Sequence, residues 1–152
     1  MKPTDSIVIK NISCDYVENR IDDFLGLIKN WKYGDWDKSS FLLDVKLKWS
    51  YSFSIEHDNE LIGFCFASGK IDRVYYIHLL FLSESYRGLG IMTSVFESII
   101  ERCRRYDLKT IELYCPIDNE LGLKFYRSKK FILHHRLSDE KQCYLVRQLS
   151  NE

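Results

Sequence analysis

The chain has 152 residues, of which 22 are basic and 22 acidic, so its formal net charge at pH 7 is zero. This balance argues against a nucleic-acid-binding domain, because such domains usually carry a net positive charge. The length fits one domain over residues 1–152, and nine Phe, ten Tyr and three Trp residues exclude disorder along the whole chain. No apolar run approaches the roughly 18 residues of a membrane span, and the first residues lack a signal-peptide core, so we expect a cytoplasmic location.

The first half of the chain is predicted to contain one strand, two helical stretches and then three strands. β-branched alternation predicts the first strand, and apolar residues at helical spacing predict the first helix. The predicted ranges are a strand over 6–12, a helix over 17–31, a weak helix over 40–48, and strands over 51–55, 61–67 and 74–82. The strand over 74–82 is the longest and most apolar, which favours a central position in a sheet.

The second half alternates helices with strands. A helix over 91–105 presents one apolar stripe, a strand over 110–115 follows, and a short helix is predicted over 119–128. Residues 131–136 and 142–149 are predicted to form a closing antiparallel pair. Hairpins mixed with one or two crossover helices indicate an α+β fold on one sheet.

Disulfides and metal sites are not expected. The five cysteines are odd in number and include no CxxC pair. No pair of His and carboxylate residues shows the spacing of metal ligands.

The segment HLLFLSESYRGLGIM, residues 78–92, combines a strand end, a loop with two glycines and the start of a helix. Gly88 and Gly90 lack a Cβ, so their backbone can turn sharply and approach a ligand closely. The first amides of a helix have no intrahelical acceptor and favour anions, and this device suits a pyrophosphate. A dinucleotide fingerprint would need a third Gly or Ala where Thr93 stands, and a Walker loop would need GKS or GKT.

This segment resembles the GNAT superfamily signature, (Q/R)xxGx(G/A) after a long strand. Arg87, Gly90 and Met92 stand at the three positions, and Met92 departs from the small residue of the pattern. A second family feature, NxxAxxxYxxxGF, is matched by Asn119, Tyr126 and Phe131. There Gly122 replaces Ala and Lys130 replaces Gly. The resemblance is firm over residues 61–149 and rests only on element order over residues 1–60.

The resemblance implies a three-layer fold, with a mixed, mostly antiparallel sheet of six to seven strands and helices on both faces. It also implies transfer of an acetyl group from acetyl-coenzyme A (acetyl-CoA) to a primary amine in a ternary complex, without a metal. The residues that it places at the cofactor are Leu80, Leu82, Arg87, Gly88, Leu89, Gly90, Ile91, Met92, Thr93, Asn119 and Tyr126.

Two side chains are candidates for proton transfer. Tyr126 matches the family's acid, which protonates the thiolate, although a core tyrosine is the alternative. His78 would share a strand face with Tyr76, Leu80 and Leu82 and act as the base, although a partly buried, hydrogen-bonded histidine is an equal alternative. Tyr76 and Tyr114 are weaker candidates for the base. The acceptor side would include His134 or His135.

Several functions stay open on sequence alone. The expected acceptor is an amine of a small molecule or peptide, and a homodimer is a possible assembly. One alternative is a protein that binds acyl-CoA without catalysis and serves as a sensor or interaction module. Another is a toxin-like enzyme that acetylates aminoacyl-tRNA, which zero net charge disfavours. Four aromatic residues would line an acceptor pocket or plug the edge of the core: Trp31, Tyr33, Trp36 and Trp49.

Overall fold

The computed structural model describes residues 6–149. Its helices are α1 (Cys14–Asn19), α2 (Ile21–Ile28), α3 (Lys38–Leu42), α4 (Lys48–Tyr51), α5 (Ile91–Arg105) and α6 (Glu120–Ser128). Its strands are β1 (Ile7–Asn11), β2 (Phe53–His57), β3 (Glu60–Lys70), β4 (Val74–Leu82), β5 (Thr110–Pro116), β6 (Ile132–Leu133) and β7 (Gln142–Gln148). Short 3-10 helices cover Glu84–Tyr86 and His135–Leu137.

The described strands form one mixed sheet in the order β1-β2-β3-β4-β5-β7-β6. Only β4 and β5 pair in parallel, and α5 provides the crossover between them. All other neighbours are antiparallel. The predicted α+β fold, with a mixed and mostly antiparallel sheet of six to seven strands, is therefore confirmed.

Helices cover both faces of the sheet and produce two hydrophobic cores. On the face that we call the α5 face, Ile91, Val95 and Ile99 of α5 pack against the sheet, with α6 alongside. On the opposite face, which we call the α2 face, Phe24 of α2 and Phe41 of α3 lie in the second core. That second core reaches β3 and β4 but includes no residue of β5, β6 or β7.

A buried lysine of α4 binds main-chain carbonyls at the end of α3. Lys48 is 2% exposed, and its Nζ donates to the main-chain carbonyls of Phe41 and Leu43 at 2.7 Å and of Ser40 at 3.3 Å. Burial lowers the pKa of Lys48 to about 8. The ammonium thus satisfies carbonyls that the end of α3 leaves without intrahelical donors.

Three predicted elements differ most from the structure. The helix over 17–31 starts at Cys14 and breaks at Arg20, whose guanidinium bonds Asp23 and Glu56 at 3.1 and 3.3 Å. The weak helix over 40–48 is two short helices, because α3 ends where Leu43 has a non-helical ψ of 125° and α4 begins only after Leu47, whose φ of 64° is left-handed. The strand over 131–136 is only β6, because the chain then turns into a 3-10 helix.

Candidate active site

Strands β4 and β5 run side by side for only part of their lengths. Parallel pairing joins Val74–Ile77 to Thr110–Leu113 and stops there, although β4 continues to Leu82 and β5 to Pro116. We call the space between residues 78–82 and residues 114–116 the β4–β5 gap. Backbone groups that face this gap have no partner on the neighbouring strand.

A β-bulge lies where the gap opens. Phe66 of β3 pairs with Leu79 and Ala67 pairs with Ile77, so His78 is the extra residue on β4. Such an insertion breaks the alternation of side chains along a strand.

The bulge places His78 on a different face from the one predicted. Leu80 and Leu82 pack against the core of the α5 face, together with Ile77 from before the bulge. His78 instead contacts Tyr76 on the α2 face, with ring centroids 4.8 Å apart. The expectation that His78 shares a face with Leu80 and Leu82 was therefore wrong, and only the pairing with Tyr76 stands.

The main chain of Leu80 and Leu82 is directed into the gap. Ser83 N–H donates to Ile62 O at 2.7 Å, which makes their pair a hydrogen-bonded one in the β3–β4 ladder. Hydrogen-bonded pairs alternate along an antiparallel ladder, so Leu80 and Leu82 turn their N–H and C=O groups away from β3. Arg87 Nε donates to Leu82 O at 2.9 Å, whereas Leu80 keeps both groups toward the gap.

The glycine loop continues from the end of β4 into α5. Gly88 and Gly90 have φ of 76° and 81°, which few other residues adopt, and Gly90 is the N-cap of α5. A Cβ at either position would meet no described atom within 4 Å, so the space in front of both is open. The loop therefore exposes backbone at the start of a 15-residue helix, where anions bind favourably.

The residues next to these glycines differ in their burial. Ile91 is 1% exposed in the core, Met92 packs against that core, and Leu89 is exposed. Thr93 N–H donates to Gly90 O at 3.2 Å. The Arg87 guanidinium lies 5.6 Å from the Phe81 ring centroid, so its Nε braces the loop against β4. Contact of these residues with a cofactor stays a prediction.

Asn119 and Gly122 form the start of α6. Asn119 is its N-cap, and its Oδ1 accepts from Gly122 N–H at 3.0 Å. A Cβ at Gly122 would lie 2.6 Å from Asn119 Nδ2. Gly122, where the second motif has Ala, is thus explained by the close approach of the capping side chain.

Tyr126 lies on α6 against the core of the α5 face. Its ring packs edge-on against Phe125 and Phe131, with centroids 5.3 and 5.4 Å apart. Within residues 6–149 its hydroxyl has no hydrogen-bond partner. Burial, with smaller contributions from Cys115 and Cys65, raises the pKa of Tyr126 far above its usual range. The phenol therefore stays protonated and able to donate.

His78 lies on the other face in a polar setting. Its Nε2 is 2.6 Å from Ser68 Oγ. Although the residue is exposed as a whole, desolvation of the ring lowers the pKa of His78 to about 4, with Lys48 and Lys70 adding to the shift. His78 is thus neutral at pH 7.

Comparison with known proteins decides the family. A model described as the acetyltransferase (GNAT) family matches residues 17–131. The chain belongs to the GNAT acetyltransferase family. An uncharacterised N-acetyltransferase of Methanocaldococcus jannaschii is 24% identical over 139 residues, 81% of this GNAT chain. This chain spans only 59% of that relative's length.

Solved structures agree with the GNAT fold. Ard1 of Thermoplasma volcanium superposes with a TM-score of 0.79 at 15% identity, over 94% of this chain and 97% of that one. The PaiA N-acetyltransferase of Thermoplasma acidophilum, solved with coenzyme A, gives 0.72 at 16% identity, over 94% and 99%. At such identities the likeness supports the fold alone.

The α2 face of this GNAT sheet carries a polar aromatic cluster over β4, β5 and β7. Tyr114 packs against Tyr144 at 4.6 Å and lies 6.5 Å from Tyr76. Tyr144 OH donates to Glu112 Oε1. Sequence reasoning missed Glu112 and Tyr144, because only the pairing of β5 with β7 shows that both lie on one face.

The other residues predicted for the acceptor side lie in different places. Trp31, Trp36 and Trp49 pack against the core of the α2 face and plug its edge, whereas Tyr33 packs edge-on against Trp31. His134 approaches the Tyr144 ring at 6.2 Å, while His135 starts the 3-10 helix.

Within residues 6–149, no helix is long and apolar enough to cross a membrane, and no group of three or more His, Cys, Asp or Glu residues is arranged to hold a metal ion.

Proposed function

We propose that this protein transfers an acetyl group from acetyl-CoA to a primary amine, which attacks the thioester directly in a ternary complex. The observation that carries the proposal is the β4–β5 gap, with the main chain of Leu80 directed into it and the glycine loop at its end. Membership of the GNAT family supports the same chemistry.

The donor would bind along the α5 face. The open backbone of Gly88 and Gly90 suits the pyrophosphate, since a Cβ there meets no described atom. The unpaired groups of Leu80 suit the amides of the pantetheine arm, which would extend the sheet as a short strand. Asn119 keeps its Nδ2 for the same arm while its Oδ1 caps α6.

Acetyl-CoA supplies a thioester whose carbonyl carbon bonds to the amine nitrogen and whose sulfur leaves with a proton. A main-chain N–H in the gap, Leu80 being the candidate, would donate to the carbonyl oxygen as negative charge develops there. Tyr126 O–H would donate to the sulfur, because its raised pKa keeps the phenol neutral.

The base lies on the opposite face. His78 is neutral at pH 7. In the tautomer whose Nε2–H donates to Ser68 Oγ, Nδ1 keeps its lone pair and would accept the amine's proton directly or through water. Donor and acceptor would thus approach the gap from opposite faces, and neither has to displace the other.

Calorimetry with acetyl-CoA, followed by release of free thiol against a panel of amines, tests this proposal. We expect micromolar binding and thiol release with at least one amine class. Absence of acetyl-CoA binding at micromolar protein would overturn the donor assignment. Binding without thiol release across the panel would contradict the transferase activity and favour a protein that only binds acyl-CoA.

A further inference from the structure

The Lys70 side chain, at the end of β3, places its ammonium between two aromatic rings on the α2 face. Its Nζ lies 3.9 Å from the ring centroid of Tyr76 and 5.3 Å from that of Tyr144, and it donates to Tyr144 OH at 3.2 Å. Aromatic ring faces attract cations, and flanking rings form the usual cage for an alkylammonium group. An ammonium is therefore stabilised at this place.

A carboxylate is linked to that ammonium through the Tyr144 hydroxyl, which accepts from Lys70 Nζ and donates to Glu112. Glu112 receives a hydrogen bond from Tyr144 OH on one oxygen and from Thr110 Oγ1, at 2.7 Å, on the other. None of the salt bridges between residues 6 and 149 involves Glu112. Neutral donors thus hold the carboxylate in place, and its charge acts on a cation between the rings. We call Tyr76, Tyr144 and Glu112 the tyrosine cage.

The tyrosine cage lies beside the β4–β5 gap. Tyr76 pairs with Glu112 two residues before His78, which at about 3.3 Å per residue puts the cage about 7 Å from the opening of the gap. On its other side, a depression of about 490 Å³ is lined by Lys70, Glu112 and Tyr144, among others. An extended ligand reaching from His78 past the cage would enter this depression.

Lys70 is well placed to leave the cage. It is the last residue of β3 and is exposed, so its side chain can swing into solvent without opening a packed core. The alternative is that this depression binds an anion, held by Lys70 and Lys109. Glu112 and Asp72 line the same depression and oppose that use.

We infer that the tyrosine cage is the cation subsite of the acceptor, and that Lys70 occupies it until a second ammonium of the acceptor replaces it. The acceptor is then an aliphatic diamine or polyamine. One amine loses its proton beside His78 and is acetylated, while the other stays charged in the cage. This inference rests on the proposed function, since only a transferase has an acceptor.

Binding of 1,4-diaminobutane to the full chain, without acyl donor, tests the cage independently of catalysis. The readout is NMR of ring-labelled tyrosines, and 1-butanol serves as the uncharged probe. Lys70→Met empties the cage while keeping an apolar stem, so we expect diaminobutane to bind that variant about 5- to 10-fold more tightly than the unmodified protein. Adding Glu112→Gln to Lys70→Met should abolish this gain in affinity. Adding Glu101→Gln instead, which removes the same charge from an exposed position on α5, should leave the gain unchanged.

The outcomes separate the two proposals. Tighter binding that depends on Glu112 supports the cage, whether or not acetyl-CoA binds. Equal or weaker binding to Lys70→Met, or shifts as large with 1-butanol, would overturn the cage and leave the transferase to its own test.

Steady-state kinetics provides a second test of the inference. In Lys70→Met, kcat/KM for 1,4-diaminobutane should exceed that for butylamine about 10-fold, because only the diamine places a charge in the cage. This ratio should fall to about one when Glu112→Gln is added. A ratio of one in Lys70→Met itself would contradict the inference.

Discussion

The two faces of the sheet beside the β4–β5 gap supply chemistry in different ways. On the α5 face the candidate donor site is mostly backbone, from Leu80 and the two glycines of the loop. On the α2 face the candidate acceptor site consists of side chains, among them His78 and Glu112. A site built of backbone tolerates departures such as Met92, whose side chain packs into the core. Under the proposed function, we therefore expect the α2 face to determine which acceptor is used.

The largest expected effect is a loss of acetyl-CoA affinity from a change on the donor side alone. Gly90→Asp adds a carboxylate, and strain at φ 81°, where the pyrophosphate would lie, so acetyl-CoA affinity should fall about 100-fold or more. Calorimetry measures this. Gly26→Asp is the matched control, because a Cβ at Gly26 meets nothing within 4 Å and α2 lies on the other face. Equal affinities of the two variants would contradict the donor site.

A second variant separates binding from chemistry on the same face. Tyr126→Phe removes only the hydroxyl, so kcat should fall about 100-fold while the acetyl-CoA Kd stays unchanged. Tyr106→Phe, at the exposed end of α5, is the control. A Tyr126→Phe protein with full kcat would show that Tyr126 is a core residue without a role in proton transfer.

The α2 face is tested through His78. His78→Gln retains a partner for Ser68, yet kcat/KM should fall about 100-fold, with acetyl-CoA binding unchanged. Activity of the unmodified protein should show no loss from His78 until the pH approaches 4, apart from protonation of the free amine. Unaltered kcat/KM in His78→Gln would assign the base elsewhere.

The same histidine affects stability with a defined sign. Its pKa is lowered from 6.5 to about 4, so between these values the unfolded chain binds a proton that the native chain does not. The free energy of unfolding therefore decreases as pH falls from 6.5 to 4, and the decrease should be shallower in His78→Gln. Urea unfolding at pH 7 and pH 5 compares the two proteins; parallel losses would contradict the shift.

The smallest effect on donor binding is expected from the covered half of the α2 face. Lys48→Met leaves the carbonyls of Phe41 and Leu43 without their donor, so the free energy of unfolding should drop by about 2–4 kcal/mol. The acetyl-CoA Kd should stay within about twofold, since α3 and α4 lie away from the glycine loop. A loss of acetyl-CoA affinity without loss of stability would contradict this separation.

Local patterns predicted the elements that local physics decides. The helix over 91–105 and the strand over 74–82 match α5 and β4, because α5 buries one apolar stripe and β4 buries apolar side chains on both faces of the sheet. The face of His78 was not predictable, since the bulge depends on the register of β4 against β3, which no local pattern contains. Likewise, no local pattern predicts that Arg20, where the first helix breaks, pairs with Glu56, a distant residue of β2.

The sequence by itself determined the fold class and the place of the glycine loop, because that loop is contiguous and needs two residues with positive φ. Only the tertiary structure decided which side chains come together on the α2 face, beside the gap. The tyrosine cage and the lysine inside it come from four different strands, β3, β4, β5 and β7. Their side chains meet only when the sheet fixes the register of all four, and pairing between distant segments leaves no periodic signal in the chain.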